Sequence, residues 1–165
     1  MHEKSKTLSL KKPEVFFLSF AGVGFIPKAP GTFGTLAILP FLYLLGESKI
    51  PVFFVIPLLV IVTAVSCYLA DSLQRSYQIH DPSWIVMDEV LGMTVAWLFI
   101  GNHSLLSLAV LFALFRFFDI IKIGPVAYFD RMKHGAGTIL DDIFAGLFAG
   151  IVFTFLRLAA PNLFP

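Results

Sequence analysis

A run of twenty residues without a charged side chain, Pro51 to Ala70, most constrains what this chain can fold into. A helix of about 20 apolar residues crosses the hydrocarbon core of a bilayer, which is about 30 Å thick. The whole chain is 58% hydrophobic and 14% charged, whereas about a quarter of the residues of a soluble domain are charged. The sequence therefore predicts an all-α integral membrane protein, because a helix satisfies its own backbone hydrogen bonds inside lipid.

Further apolar runs predict a bundle of about four to five transmembrane helices. They cover residues 33–45, 85–100, 105–121 and 139–160. The earlier run Val15 to Ile26 has only 12 residues, too few to span the core. It is predicted to be a short interfacial or re-entrant segment, with a secretory signal peptide as the competing interpretation.

The distribution of Lys and Arg predicts an orientation. They gather in the tail (residues 1–14), at Lys28 and in the loops around Arg75 and residues 122–133, whereas the loops near Lys49 and Asn102 are nearly bare. By the positive-inside rule the tail is cytoplasmic, lying against anionic headgroups, and residues 15–165 form a single transmembrane domain. Five crossings then leave the C-terminus outside; four spans plus a re-entrant hairpin is the alternative.

Five carboxylates interrupt the apolar runs where a lipid-facing helix would have none. They are Asp88, Glu89, Asp119, Asp141 and Asp142. Carboxylates inside a membrane protein are costly and face the bundle interior. Because successive helices alternate in direction, acids that open an outward helix and acids that close an inward one meet at the same, cytoplasmic end. The sequence therefore predicts one acidic site.

Small residues support this convergence. Two stripes with four-residue spacing each begin at an acid, Asp88–Gly92–Ala96 and Asp142–Gly146–Gly150. Small residues at this spacing let helices approach closely. Asp88 and Asp142 are therefore expected to point into a helix junction.

The chemistry of these residues favours a hard divalent cation. Crowded carboxylates repel one another unless a cation neutralises them. Cys67 is the only cysteine and no histidines are paired at ligand spacing, so the oxygen ligands favour Mg²⁺ or Mn²⁺ over zinc, and Mg²⁺ favours a phosphorylated substrate. Arg116 and Lys122 each lie three residues from Asp119 and are expected on its face of the helix, where they would bind phosphate. No basic patch indicates nucleic acid.

The stretch around Pro30 has two interpretations that the sequence leaves open. Pro30, Gly31 and Thr32 precede an apolar run, and Thr32 is a natural N-cap, so the motif could simply initiate a helix. Alternatively, Lys28, the Thr32 and Thr35 hydroxyls and the free amides around Gly31 form a phosphate cradle at the helix N-terminus.

Single acids also have structural interpretations. Thr138 with Asp141 three residues later resembles a capping box, and acids in a first helical turn, such as Asp88 or Glu89, interact favourably with the helix dipole. Neither effect accounts for Asp119, which closes a helix where negative charge is disfavoured.

Four separated motifs resemble the phosphatidylglycerophosphatase A family of bacterial membrane phosphatases. They are APGTFGTL (29–36), HDPSWIVMDEVLGM (80–93), FRFFDIIK (115–122) and FDRMKHGAGTILDDIFAG (129–146). The resemblance implies magnesium-dependent hydrolysis of phosphatidylglycerophosphate to phosphatidylglycerol and phosphate. It also implies a multi-pass protein of the bacterial inner membrane, in contact with membrane lipids, with its active site on the cytoplasmic side.

These observations predict a role for each site residue. Asp88, Glu89, Asp119 and Asp142 are expected to be catalytic, one of them as general base, and together with Asp141 to hold Mg²⁺. Phosphate is expected to contact a second set of residues: Lys28, Gly31, Thr32, Arg116 and Lys122. An ion-coupled transporter that uses the same intramembrane acids is the alternative function, and a noncatalytic membrane scaffold is a third.

Overall fold

The computed structural model describes residues 10–48, 50–79, 81–101, 104–132 and 134–164 and is all-helical over them, without a strand. Seven α-helices follow one another: α1 Pro13–Leu18, α2 Pro30–Glu47, α3 Val52–Tyr77, α4 Met87–Trp97, α5 Leu105–Ile121, α6 Pro125–Asp130 and α7 Gly135–Ala159. Most of the predicted cytoplasmic tail (residues 1–9) and Lys133 lie outside the described residues.

Two helices, α3 and α7, are long and apolar enough to cross a membrane. Large apolar side chains also stand exposed on α2 and α5, for example Phe41 at 62% and Leu105 at 73%. Such faces are unusual in soluble monomers, so the helices are compatible with a membrane protein. The number of spans stays a prediction.

Helix α4 is shorter than the predicted span 85–100. Its 11 residues extend about 16 Å, roughly half of a bilayer core. Most of α4 is buried, including Met93, Ala96 and Trp97. The apolar residues that follow Asp88 and Glu89 in this segment therefore reflect burial inside the protein.

The segment Val15 to Ile26 forms the six-residue helix α1 followed by a single 3₁₀ turn, Val23–Phe25. Val15 and Leu18 are fully buried against α3 and the segment that leads into α4. The expectation that this stretch is too short to span is confirmed; its position relative to the membrane stays a prediction.

Close contact between α4 and α7 forms the centre of the fold. A Cβ atom added to Gly146 would lie 2.1 Å from the carbonyl oxygen of Gly92, and one added to Gly92 would lie 2.5 Å from the carbonyl oxygen of Asp142. The predicted close approach is confirmed at Gly92 and Gly146, where the two backbones touch, whereas Gly150 packs against the Phe99 side chain. This contact brings the acids of α4 beside those of α7.

Candidate metal and phosphate site

All five predicted carboxylates line one cavity of about 300 Å³. Asp88 and Glu89 stand in the first turn of α4, Asp119 in the last turn of α5, and Asp141 and Asp142 in the second turn of α7. The predicted convergence of the acids is therefore confirmed. It arises because α4 and α7 begin at the end of the bundle where α5 finishes.

Three of the acids are placed to share one cation. Carboxylate oxygens of Asp88, Glu89 and Asp142 lie within 4.8 Å of one another. Asp88 and Asp142 are 8% and 4% exposed. The Glu89 Oε2 atom is buried without a hydrogen-bond partner among the described residues, and a buried unpaired oxygen of this kind is costly unless something binds it. The donor set is all oxygen, as Mg²⁺ prefers.

Arg116 brings positive charge into the same cavity. Its Nη1 atom lies 2.7 Å from Asp119 Oδ2, and both side chains are less than one-fifth exposed. The contact is an ion pair without hydrogen-bond geometry, since Nη1 has no hydrogen-bond partner among the described residues. The predicted proximity of Arg116 to Asp119 is confirmed, and the Arg116 side chain also lines the cavity.

Lys122 reaches a different acid from the one predicted. Helix α5 ends at Ile121, and Lys122 follows with a left-handed backbone (φ 51°), so it no longer shares a helical face with Asp119. Its Nζ atom lies 3.0 Å from Asp141 Oδ2 and also contacts Asp130 of α6. Burial acts to lower the pKa of Lys122, but the hydrogen bonds and charges of Asp130 and Asp141 raise it above its ordinary value. Lys122 therefore stays charged.

The start of α2 forms one wall of the cavity through Ala29, Pro30 and Gly31. The predicted N-cap role of Thr32 is wrong: Pro30 is the first helical residue and Ala29, with φ 49°, is the N-cap. Thr32 and the exposed Lys28 are not among the residues that line the cavity. Gly31 lies so close to α4 that an added Cβ would stand 1.9 Å from Glu89 Oε1.

The capping-box interpretation of Asp141 is also wrong. Helix α7 begins at Gly135, so Thr138 lies within the helix. The Thr138 hydroxyl accepts a hydrogen bond of 2.9 Å from Gln74 Nε2. Asp141 therefore faces the cavity and Lys122 without a capping role.

Two acids were missed as participants by the sequence argument. Asp81 lines the cavity, and Asp130 holds Lys122. Neither interrupts an apolar run, which was the pattern that identified the other five. The HDPSW and FDRMK motifs in which they lie were the only available indication.

The described residues form an all-helical fold with exposed apolar faces, and the cavity places carboxylate oxygens beside the positively charged Arg116 and Lys122. This combination is expected of a membrane phosphatase. The model of the family "Phosphatidylglycerophosphatase A" matches residues 16–157, and the chain belongs to this family. The chain is accordingly a phosphatase acting on a phosphate monoester. Nothing in these comparisons supports the transporter alternative.

Similar proteins come from several bacteria. Phosphatidylglycerophosphatase A of Haemophilus influenzae is 35% identical over 89% of this chain and 90% of its own length. The protein of the same name from Escherichia coli is 35% identical over 80% of this chain and 77% of its own. A Bacteroides thetaiotaomicron protein, provisionally named a phosphatidylinositol-3-phosphatase, is 33% identical over 82% and 88%. No solved structure matches the chain.

Proposed function

We propose that this protein is a magnesium-dependent lipid phosphatase that hydrolyses phosphatidylglycerophosphate to phosphatidylglycerol and inorganic phosphate. The observation that carries the proposal is the cluster of Asp88, Glu89 and Asp142 beside Arg116, inside one cavity of a chain that belongs to the phosphatidylglycerophosphatase A family. Carboxylates select a hard cation and the guanidinium selects an anion, so the cavity suits a metal-bound phosphate.

Asp88, Glu89 and Asp142 would hold Mg²⁺, with Asp119 and Asp141 at the edge of the same group. The unpaired Glu89 Oε2 atom and the all-oxygen donor set fit this cation. When bound, Mg²⁺ would polarise a phosphoryl oxygen and increase the acidity of a water molecule. Several buried acids without sufficient cations would otherwise repel one another.

The chain's own residues would position phosphate and water. Arg116, oriented by Asp119, lines the cavity and would bind a phosphate oxygen there through its guanidinium group. Lys122 adds a second positive charge, held by Asp130 and Asp141. Fixed charges of this kind stabilise the negative charge on the transferred group.

One acid would accept the proton of the attacking water as that water's oxygen bonds to phosphorus. The phosphorus–oxygen ester bond breaks in the same step, and the departing alcohol oxygen takes a proton from solvent water. The base would be one of the acids that line the cavity, acting through an oxygen that does not hold the cation. An aspartyl-phosphate intermediate is the alternative route.

The proposal includes a location. Four to five spans in the bacterial inner membrane, with the acidic cavity at the cytoplasmic end, agree with the exposed apolar faces of α2, α3, α5 and α7. A lipid substrate would then present its phosphate to the cavity from the same membrane surface.

The test is phosphate release by purified protein in detergent micelles, where transport has no meaning. Phosphatidylglycerophosphate, phosphatidylinositol 3-phosphate and phosphatidic acid form the substrate panel, with Asp142→Asn as the inactive control. We expect release from phosphatidylglycerophosphate, loss of release on chelation, and recovery with Mg²⁺. Turnover that persists under strong chelation would overturn the metal mechanism. Faster phosphate release from phosphatidylinositol 3-phosphate than from phosphatidylglycerophosphate would mean that the phosphoinositide is the substrate.

A further inference from the structure

An apolar groove of about 290 Å³ lies between α2 and α3, with α4 as its floor. Phe41 and Leu42 of α2 form one side, Leu58 of α3 forms the other, and Val90 and Leu91 lie beneath. Phe41 and Leu58 are each 62% exposed. The groove therefore opens on the apolar outer surface of the bundle.

The lining of the groove favours hydrocarbon. Thr94 is the one side chain with a polar group among its lining residues. The Thr94 hydroxyl already donates a 2.7 Å hydrogen bond to the Val90 carbonyl within α4. A headgroup or a polar peptide would lose its hydrogen bonds to water here without regaining them, whereas an alkyl chain would lose none.

The groove and the acidic cavity are built on the same two helices, α4 and α2. Helix α4 carries Asp88 and Glu89 in the cavity and, from the same turns, Val90 and Leu91 in the groove. Helix α2 begins in the cavity at Gly31 and lines the groove as far as Leu45. That length of α2 rises about 21 Å, comparable to the half-thickness of a bilayer core, about 15 Å.

A strained residue stands in the lining of the groove. Phe20 has φ 47°, a conformation in which a bulky side chain is an outlier. Its ring meets the Phe41 ring edge to face, with centroids 6.5 Å apart. Strain of this kind persists where the surroundings over-determine the backbone and is concentrated at functional sites.

We infer that this groove holds one acyl chain of the lipid whose phosphate occupies the acidic cavity. The inference rests on the proposed function and adds to it a subsite for a long-chain glycerophospholipid monoester. The chain would leave the cavity beside Phe20 and run along α2 towards Leu45. Binding energy from the non-reacting tail would then place the phosphate at the acids.

Chain-length dependence tests the subsite. Leu58→Trp narrows the groove, and Val60→Trp is the matched control, because Val60 is 61% exposed on the same helix and does not line the groove. Turnover is measured on dioleoyl and dihexanoyl phosphatidylglycerophosphate. We expect Leu58→Trp to lower kcat/KM for the dioleoyl lipid about tenfold, the effect of excluding roughly two methylene groups. The dihexanoyl lipid should be unaffected, and the control variant should match wild type on both.

If Leu58→Trp lowers kcat/KM equally for both lipids, or lowers it for neither, the groove is not an acyl-chain subsite. A second measurement covers the case in which a variant misfolds. Wild-type protein in phosphatidylethanolamine vesicles is irradiated with phosphatidylglycerol that carries a photoreactive group near the end of one acyl chain. We expect adducts on Leu42, Leu45 and Val55 in excess over Phe53 and Phe54 of the exposed α3 face.

Two results of the irradiation would reject the inference. Equal labelling of the groove and the outer α3 face would mean that bulk lipid covers both, and an absence of lipid adducts at the groove would mean that the acyl chain does not enter it. If wild type hydrolyses neither chain length, the proposed function fails, and the adduct pattern still decides whether the groove binds an acyl chain.

Discussion

The contact between Gly31 and Glu89 provides a sharp test of the proposed site. In Gly31→Ala the new Cβ would lie 1.9 Å from Glu89 Oε1, whereas nonbonded heavy atoms rest at about 3.5 Å. The Glu89 carboxylate must therefore move by about 1.5 Å. Metal ligands hold their distances within about 0.2 Å, so the shift removes Glu89 from the cation.

The expected consequence is a fall in turnover without a fall in stability. Gly31 is helical with no positive φ, and alanine is the better helix former by up to about 1 kcal/mol. A misplacement of about 1 Å in an active site can cost about 100-fold in rate. We expect Gly31→Ala to release phosphate about 100-fold more slowly, with unchanged thermal unfolding in detergent and a higher Mg²⁺ requirement.

A compensating change separates this cause from others. Glu89→Asp retracts the carboxylate by one carbon–carbon bond and makes room for the new methyl group. The double variant Gly31→Ala/Glu89→Asp should therefore be no slower than Glu89→Asp alone. Wild-type turnover in Gly31→Ala, or losses that multiply in the double variant as they do for independent sites, would refute the reasoning.

Three further predictions follow from the fold and the site. Each of the single variants Asp88→Asn, Asp119→Asn and Asp142→Asn removes one negative charge and should abolish phosphate release, with an unchanged circular dichroism spectrum. Full activity in a variant would mean that its residue is not part of the site. In a Cys67→Ala background, the cysteines introduced by Ser76→Cys and Arg131→Cys should react with an impermeant thiol reagent only from the cytoplasmic side. Labelling from the periplasmic side would mean that the orientation is the reverse of the predicted one. Gly146→Ala should lower the free energy of unfolding by about 1–3 kcal/mol, because its Cβ meets the Gly92 carbonyl; an unchanged melting temperature would contradict that packing.

Local pattern was sufficient to predict much of this architecture. The apolar run Leu105–Ile121 coincides with α5, because the length of this run is visible in the sequence. The alternating direction of successive helices was enough to predict that the five acids meet. The spacing of the small residues was enough to predict that Asp88 and Asp142 lie at a helix junction, and the structure shows this junction to be the contact between α4 and α7.

Partners and distances between separate helices were decided only by the tertiary structure. Lys122 pairs with Asp141 and Asp130 because α5 ends at Ile121, the residue before Lys122, and the backbone of Lys122 is left-handed. Helical periodicity describes the neighbours of a residue on its own helix and carries no information about which side chain of another helix will face it. Asp81, the contact of Gly31 with Glu89 and the groove beside α4 depend on how whole helices pack, so the sequence alone did not predict them.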